Sequence, residues 1–144
     1  MDDPSLGRDF RDDEYRRRRY ILEDRLISVA LDVLRAGMDV VLDFGCWAKP
    51  EPNALAYLAA SAGAECELVY VTLPPDEQGR RVTARREDTP ATTLLVTGDE
   101  LDEWRDLFEV PGAGELEGGP LDQPPTDFAD WGEWAAKRWP SLAV

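Results

Sequence analysis

Two kinds of side chain here have the type and spacing for chemistry on phosphate groups. The first is Asp43. It closes the apolar run Asp39-Val40-Val41-Leu42-Asp43 and is followed by Phe44-Gly45. That pattern predicts a buried parallel strand delivering a carboxylate to its carboxyl end, where ligands of open α/β sheets collect. A carboxylate so placed can hold Mg2+, directly or through water, and bring nucleotide phosphates into position. Capping the turn after a strand is the plainer role for the same residue. The second is the pair Arg81 and Arg85, four residues apart and so on one helix face. Guanidinium groups recognise phosphate in a bidentate manner and neutralise charge that develops as a phosphoryl group moves. A solvated basic face on an acidic protein is the plainer alternative.

Helices and strands must carry these groups, and the pattern along the chain predicts them. After an irregular lead-in over Asp2–Phe10, a helix is expected from about Asp12, with Asp12, Asp13 and Glu14 suiting its positive end. Leu22, Leu26, Val29, Ala30 and Val33 recur at helical spacing, and a second stripe of Tyr20, Ile27, Leu31 and Leu34 widens the expected buried face. Gly37 stands as its C-terminal cap. A strand over Val40–Phe44 follows, then a helix that starts near Pro50–Pro52 and stops at Gly63. Glu67–Leu73 reads as a second interior strand, ended by Pro74-Pro75. Helices are expected over Asp76–Glu87 and, behind a Thr97/Glu100 capping box, over Asp99–Phe108, with a loop at Thr89–Thr93 between them.

The composition shifts after Pro111. Gly112 to Asp127 is rich in glycine, proline and acid and reads as loop or linker, before a short helix over Phe128–Trp139 whose Trp131, Trp134 and Trp139 are packing anchors. Residues 1–111 thus read as an α/β core and 112–144 as a helical tail piece. The alternation of elements specifies α/β with a parallel sheet. Two strands make a thin sheet, so a third is expected, disguised near Thr93–Val96 or missing.

The 144 residues suit one domain, and 43% hydrophobic content with five tryptophans argues for a packed core. Thirty acidic residues oppose 16 basic ones, for a net charge of −14. Such a surface repels nucleic acid, so no nucleic-acid partner is expected. The absence of histidine excludes Ser-His-Asp and Cys-His catalysis and the common zinc sites. Cys46 and Cys66 fall at opposite ends of the expected sheet and do not suit a disulfide; Cys46, beside Trp47, reads as structural. No apolar run approaches a membrane span and the N-terminus has no signal-peptide character, so a cytoplasmic setting is expected. The run Arg16–Arg19 points all round a helix, and flanking acids account for it through intrahelical ion pairs.

The stretch Leu34-Arg35-Ala36-Gly37-Met38-Asp39 through Asp43-Phe44-Gly45-Cys46-Trp47 resembles the second half of the AAA-type, zeta-toxin-like P-loop kinases, which are related to chloramphenicol phosphotransferase. The likeness continues through Ala62-Gly63-Ala64, Leu68–Val71, Arg80-Arg81-Val82-Thr83-Ala84-Arg85, Val96-Thr97 with Leu101 and Trp104, and Phe108-Glu109-Val110-Pro111. It spans roughly residues 1–116, and order and spacing carry it more than any single motif. The resemblance implies a P-loop kinase sheet and ATP- and magnesium-dependent phosphorylation of a small molecule's hydroxyl. Asp43 would bind Mg2+, and Arg81 and Arg85 would belong to a lid helix over the phosphates. Lys49 stands in the "W-x-R-x-E-R" stretch at the first arginine and would meet the cofactor; Pro52 replaces the second.

No G-x-x-x-x-G-K-[ST] loop occurs in these 144 residues. The family's first strand, that loop and the acidic residue near the acceptor would all precede Met1, so the fold is expected to be incomplete at its N-terminus. A late start, a decaying remnant and a non-catalytic acidic domain with a protein partner or an oligomeric state are the alternatives. The chain as written is expected not to turn over ATP.

Overall fold

The computed structural model describes residues 13–93 and 95–142. Within them lie six helices: α1 (Asp13–Arg35), α2 (Pro50–Ser61), α3 (Pro75–Asp88), α4 (Gly98–Leu107), α5 (Ala113–Leu116) and α6 (Trp131–Arg138). The expected lead-in at Asp2–Phe10 and the helix start at Asp12 lie outside the described residues. Local signals account for the helix ends. Gly37 takes φ 81° and the Met38 N–H donates back to Val33 O at 3.2 Å, closing α1. Gly63 at φ 80° does the same for α2, with the Ala64 N–H donating to Ala59 O at 3.0 Å. Thr97 and Glu100 exchange both bonds of a capping box at the start of α4.

The core is helical. α2 packs against both α1 and α6. Ile27 and Leu31 of α1 meet Ala54 and Leu58 of α2, and Trp131, Ala135, Trp139 and Leu142 close the cluster from the C-terminal side. Polar bonds fix that closure. The Trp139 indole N–H donates to Glu23 at 3.2 Å, and the Ser141 N–H donates to Asp24 at 2.8 Å. Trp131 and Trp139 are thus the anchors that their size suggested, at 5% and 1% exposure.

The expected parallel sheet is not formed: the described residues contain helices and no strand. Val40–Phe44 and Glu67–Leu73 run without a ladder, and their β-branched residues face solvent, with Val41 89%, Val69 71% and Val71 83% exposed. Thr93, Leu95 and Val96 are likewise not strand, and Leu94 lies outside the described residues. The physical reason is pairing. Apolar, β-branched runs state a preference for a pleated surface, but a strand exists only where a neighbour takes its backbone N–H and C=O groups. Neither segment finds that neighbour among the described residues.

The first stripe of α1 is split. Leu22, Leu26 and Val29, expected in the core, are 62%, 47% and 62% exposed, while Ala30 is buried at 7% and Val33 is half-buried. Ile27 and Leu31, from the second stripe, are the residues that α2 and α6 bury.

Candidate functional site

The stretch following Asp43 is the most constrained irregular segment of the molecule. Glu51, in the first turn of α2, turns its carboxylate back to accept the Trp47 N–H at 2.5 Å and the Ala48 N–H at 3.2 Å. Arg19 donates from Nη2 to Gly45 O at 2.5 Å. From beyond α4, Glu109 accepts the Lys49 N–H at 2.7 Å, and its own N–H donates to Trp47 O at 2.9 Å. The Trp47 indole sits edge-on to Trp104 and Phe108 at 6.3 Å each, and Phe108 stacks on Tyr70 at 5.7 Å. A Cβ at Gly45 would lie 3.0 Å from the Trp47 Nε1, a tight contact that the indole would have to relieve by a small shift. Trp47, Trp104 and Phe108-Glu109, far apart in sequence, converge here.

Glu51 is 3% exposed, and its other oxygen takes an ion pair from Arg138 of α6. The Arg138 guanidinium lies 3.5 Å above the Tyr20 ring. Arg19 is held by Glu23 at 2.5 Å; burial opposes its charge, and the Glu23 carboxylate outweighs that and raises its pKa. The Cys46 thiol beside them is pushed up to about 11, by burial first and then by Glu51 and Glu23, so it is a protonated, inert thiol at neutral pH. Both cysteines are free.

Asp43 and Lys49 are exposed, as are Arg81 and Arg85 on α3. Arg81 donates to Glu77 at 2.6 Å, and with Arg80 it holds the Glu77 carboxyl below its usual range. Among the described residues no hydrogen bond or ion pair joins Asp43, Lys49, Arg81 and Arg85. Nor do the described residues contain a group of three or more His, Cys, Asp or Glu side chains able to hold a metal. The donor set therefore does not form a resident magnesium site. It suits only an ion that arrives with a nucleotide, its remaining ligands being phosphate oxygens and water.

What sequence reasoning missed is Glu51 with Arg138. A glutamate in a helix's first turn is a readable sign of favourable placement. Its partner, 87 residues away, has no local signal. The Arg16–Arg19 run does form the expected intrahelical pairs, Arg18 with Glu14 at 2.7 Å and Arg19 with Glu23. Arg16 and Arg19 also line a cavity of about 500 Å³, whose walls include Tyr20, Trp47, Trp104 and Arg138.

Residues 5–111 match the model of the AAA domain family. The chain belongs to that family, of the P-loop kinase-like kind. No curated protein and no solved structure matches it. No helix of the described residues is long and apolar enough to cross a membrane.

Proposed function

We propose that this chain is an ATP-binding, kinase-like phosphotransferase domain of the zeta-toxin and chloramphenicol-phosphotransferase type, whose acceptor is a small molecule's hydroxyl. The family match over residues 5–111 carries this reading. Asp43 would meet the magnesium ion that accompanies ATP, Lys49 would contact the nucleotide, and Arg81 and Arg85 would face the transferring phosphate. Phosphoryl transfer depends on positioning and charge stabilisation, and these 144 residues hold no Gly-Lys-Ser/Thr loop to supply them. By themselves, then, they bind nucleotide without turning it over.

The test is a thermal shift with magnesium and ATP, alongside a phosphate-release assay. The reading expects a magnesium-dependent shift, its loss in Asp43→Ala, and no turnover. Magnesium-dependent turnover that Asp43→Ala abolishes would overturn the inactivity. A second reading is a non-catalytic acidic interaction domain. The exposed Leu22, Leu26, Val29, Val41, Val69 and Val71 favour it, since apolar surface of this kind marks protein contacts. It expects no shift with ATP and a defined oligomer or partner complex.

A further inference from the structure

The cavity beside Trp47 has a neighbour. A second cavity of about 520 Å³ lies on the other side of Arg16, Tyr20 and Arg138, which form a shared wall. The two chambers differ in chemistry. The first is walled by the rings of Tyr15, Tyr20, Trp47 and Trp104. The second adds Arg17 and Lys137, and Tyr20 is the aromatic ring among its described lining residues. Across both, five basic side chains (Arg16, Arg17, Arg19, Lys137 and Arg138) face two carboxylates, Asp13 and Glu51. On a chain of net charge −14 this is a local cluster of cations, with Glu14 and Glu23 pairing with two of them from outside the lining.

We propose that the double cavity binds an aromatic phosphate: a planar ring in the first chamber and a phosphate group against Arg16, Arg17, Lys137 and Arg138 in the second. The ring has faces to stack on and edges of Trp47 and Trp104 to meet. Glu14 and Glu23 as well as Asp13 and Glu51 pair with four of the five cations, which leaves the exposed Arg16 and Arg17 pairs, with Lys137, to meet a dianion. The cations also differ in how firmly they are held. Arg19 and Arg138 are tied to the buried Glu23 and Glu51, so they set the shape of the site. Arg16 pairs only with the exposed Asp13, Arg17 stands 3.6 Å from Glu14, and Lys137 has no carboxylate partner among the described residues, resting 5.1 Å over the Phe128 ring. Exposed pairs of this kind contribute little and exchange readily for a better anion. The Arg138 Nε–H is buried without a partner among the described residues, one more donor at the shared wall. The site draws on α6, outside the stretch that matches the AAA family, and it stands independently of the kinase reading.

Titration of the full chain with phenyl phosphate, followed by calorimetry and tryptophan fluorescence without magnesium or ATP, tests this. The expected result is saturable one-to-one binding, weakened by salt. Phenol, inorganic phosphate and benzoate should each bind at least about tenfold more weakly, and the surface double variant R16Q/K137Q should lose about tenfold in affinity while its helical circular dichroism is unchanged. No saturable binding, equal binding of inorganic phosphate or of benzoate, or full affinity in R16Q/K137Q would each overturn the proposal. ATP too is an aromatic phosphate, so the two readings are separated by magnesium: a shift with ATP that needs magnesium and is lost in Asp43→Ala belongs to the kinase reading, and one that needs neither and is lost in R16Q/K137Q belongs to the double cavity.

Discussion

α2 and α3 are helices of similar length that both begin on proline, and they live in different physical worlds. α2 buries Ala54, Leu58 and Ala59 between α1 and α6, and even its Glu51 and Asn53 are buried and bonded. α3 buries nothing, and its side-chain bonds are local, Arg80 and Arg81 to Glu77 and Arg86 to the carbonyls of Pro90 and Thr93. A short helix without a buried face is marginal in water, because propagation barely outweighs nucleation. The segments that lead into the two helices differ in the same way. The residues before α2 are clamped by Glu51, Glu109 and Arg19, whereas 67–73, before α3, run unpaired with Val69 and Val71 in solvent. Stability in this molecule comes from tertiary burial, and the region expected to close over phosphate has the least of it.

The contrast can be broken by substitution, starting where the effect is largest. Trp139→Ala removes a side chain that is 1% exposed together with its hydrogen bond to Glu23, so unfolding in urea should show a loss of about 3–5 kcal/mol. Arg138→Met leaves the buried Glu51 carboxylate without its ion pair. The expected loss is about 2 kcal/mol by the same measurement, less than for a fully buried pair because the Arg138 side chain is 22% exposed.

A smaller effect is expected from pH. The Cys46 thiol ionises near 11 in the fold against an ordinary 9.0, with burial the main cause. A group raised in this way contributes stability that is fully present below its unfolded value and lost as the pH climbs from about 9 through 11. The urea midpoint of the wild type should therefore fall more steeply than that of Cys46→Ala over this window; parallel slopes would count against the burial of Cys46. Smallest of all, Val69→Thr and Val71→Thr should each change stability by no more than about 0.5 kcal/mol, since neither side chain is packed. A loss several times larger would mean that a sheet covers them.

Much of the helical half was legible in the sequence because its signals are local. Gly37 and Gly63 sit where positive φ is required, Thr97 and Glu100 cap each other across three residues, and tryptophans spaced along one helix need something large to pack against. The unread part is non-local. Val40–Phe44 and Glu67–Leu73 look like interior strands to any test of composition, yet pairing is a property of two segments and leaves no trace in one. Which stripe of α1 is buried was equally hidden: Leu26 and Ile27 are neighbours in sequence, and only the position of α2 and α6 decides between them. For the site, Asp43 was found by its place after an apolar run and Arg81 and Arg85 by their spacing, but the links from Glu51 to Arg138 and from Lys49 to Glu109 join residues 87 and 60 positions apart.

Native-state amide hydrogen exchange, read residue by residue, tests the difference between the two regions most directly. The account predicts that core amides of α1, α2 and α6 exchange only through global unfolding, while those of Val40–Leu42 and Leu68–Leu73 exchange close to the rate of an unstructured chain. Protection of those two segments equal to that of α2 would show a paired sheet and contradict the all-helical core.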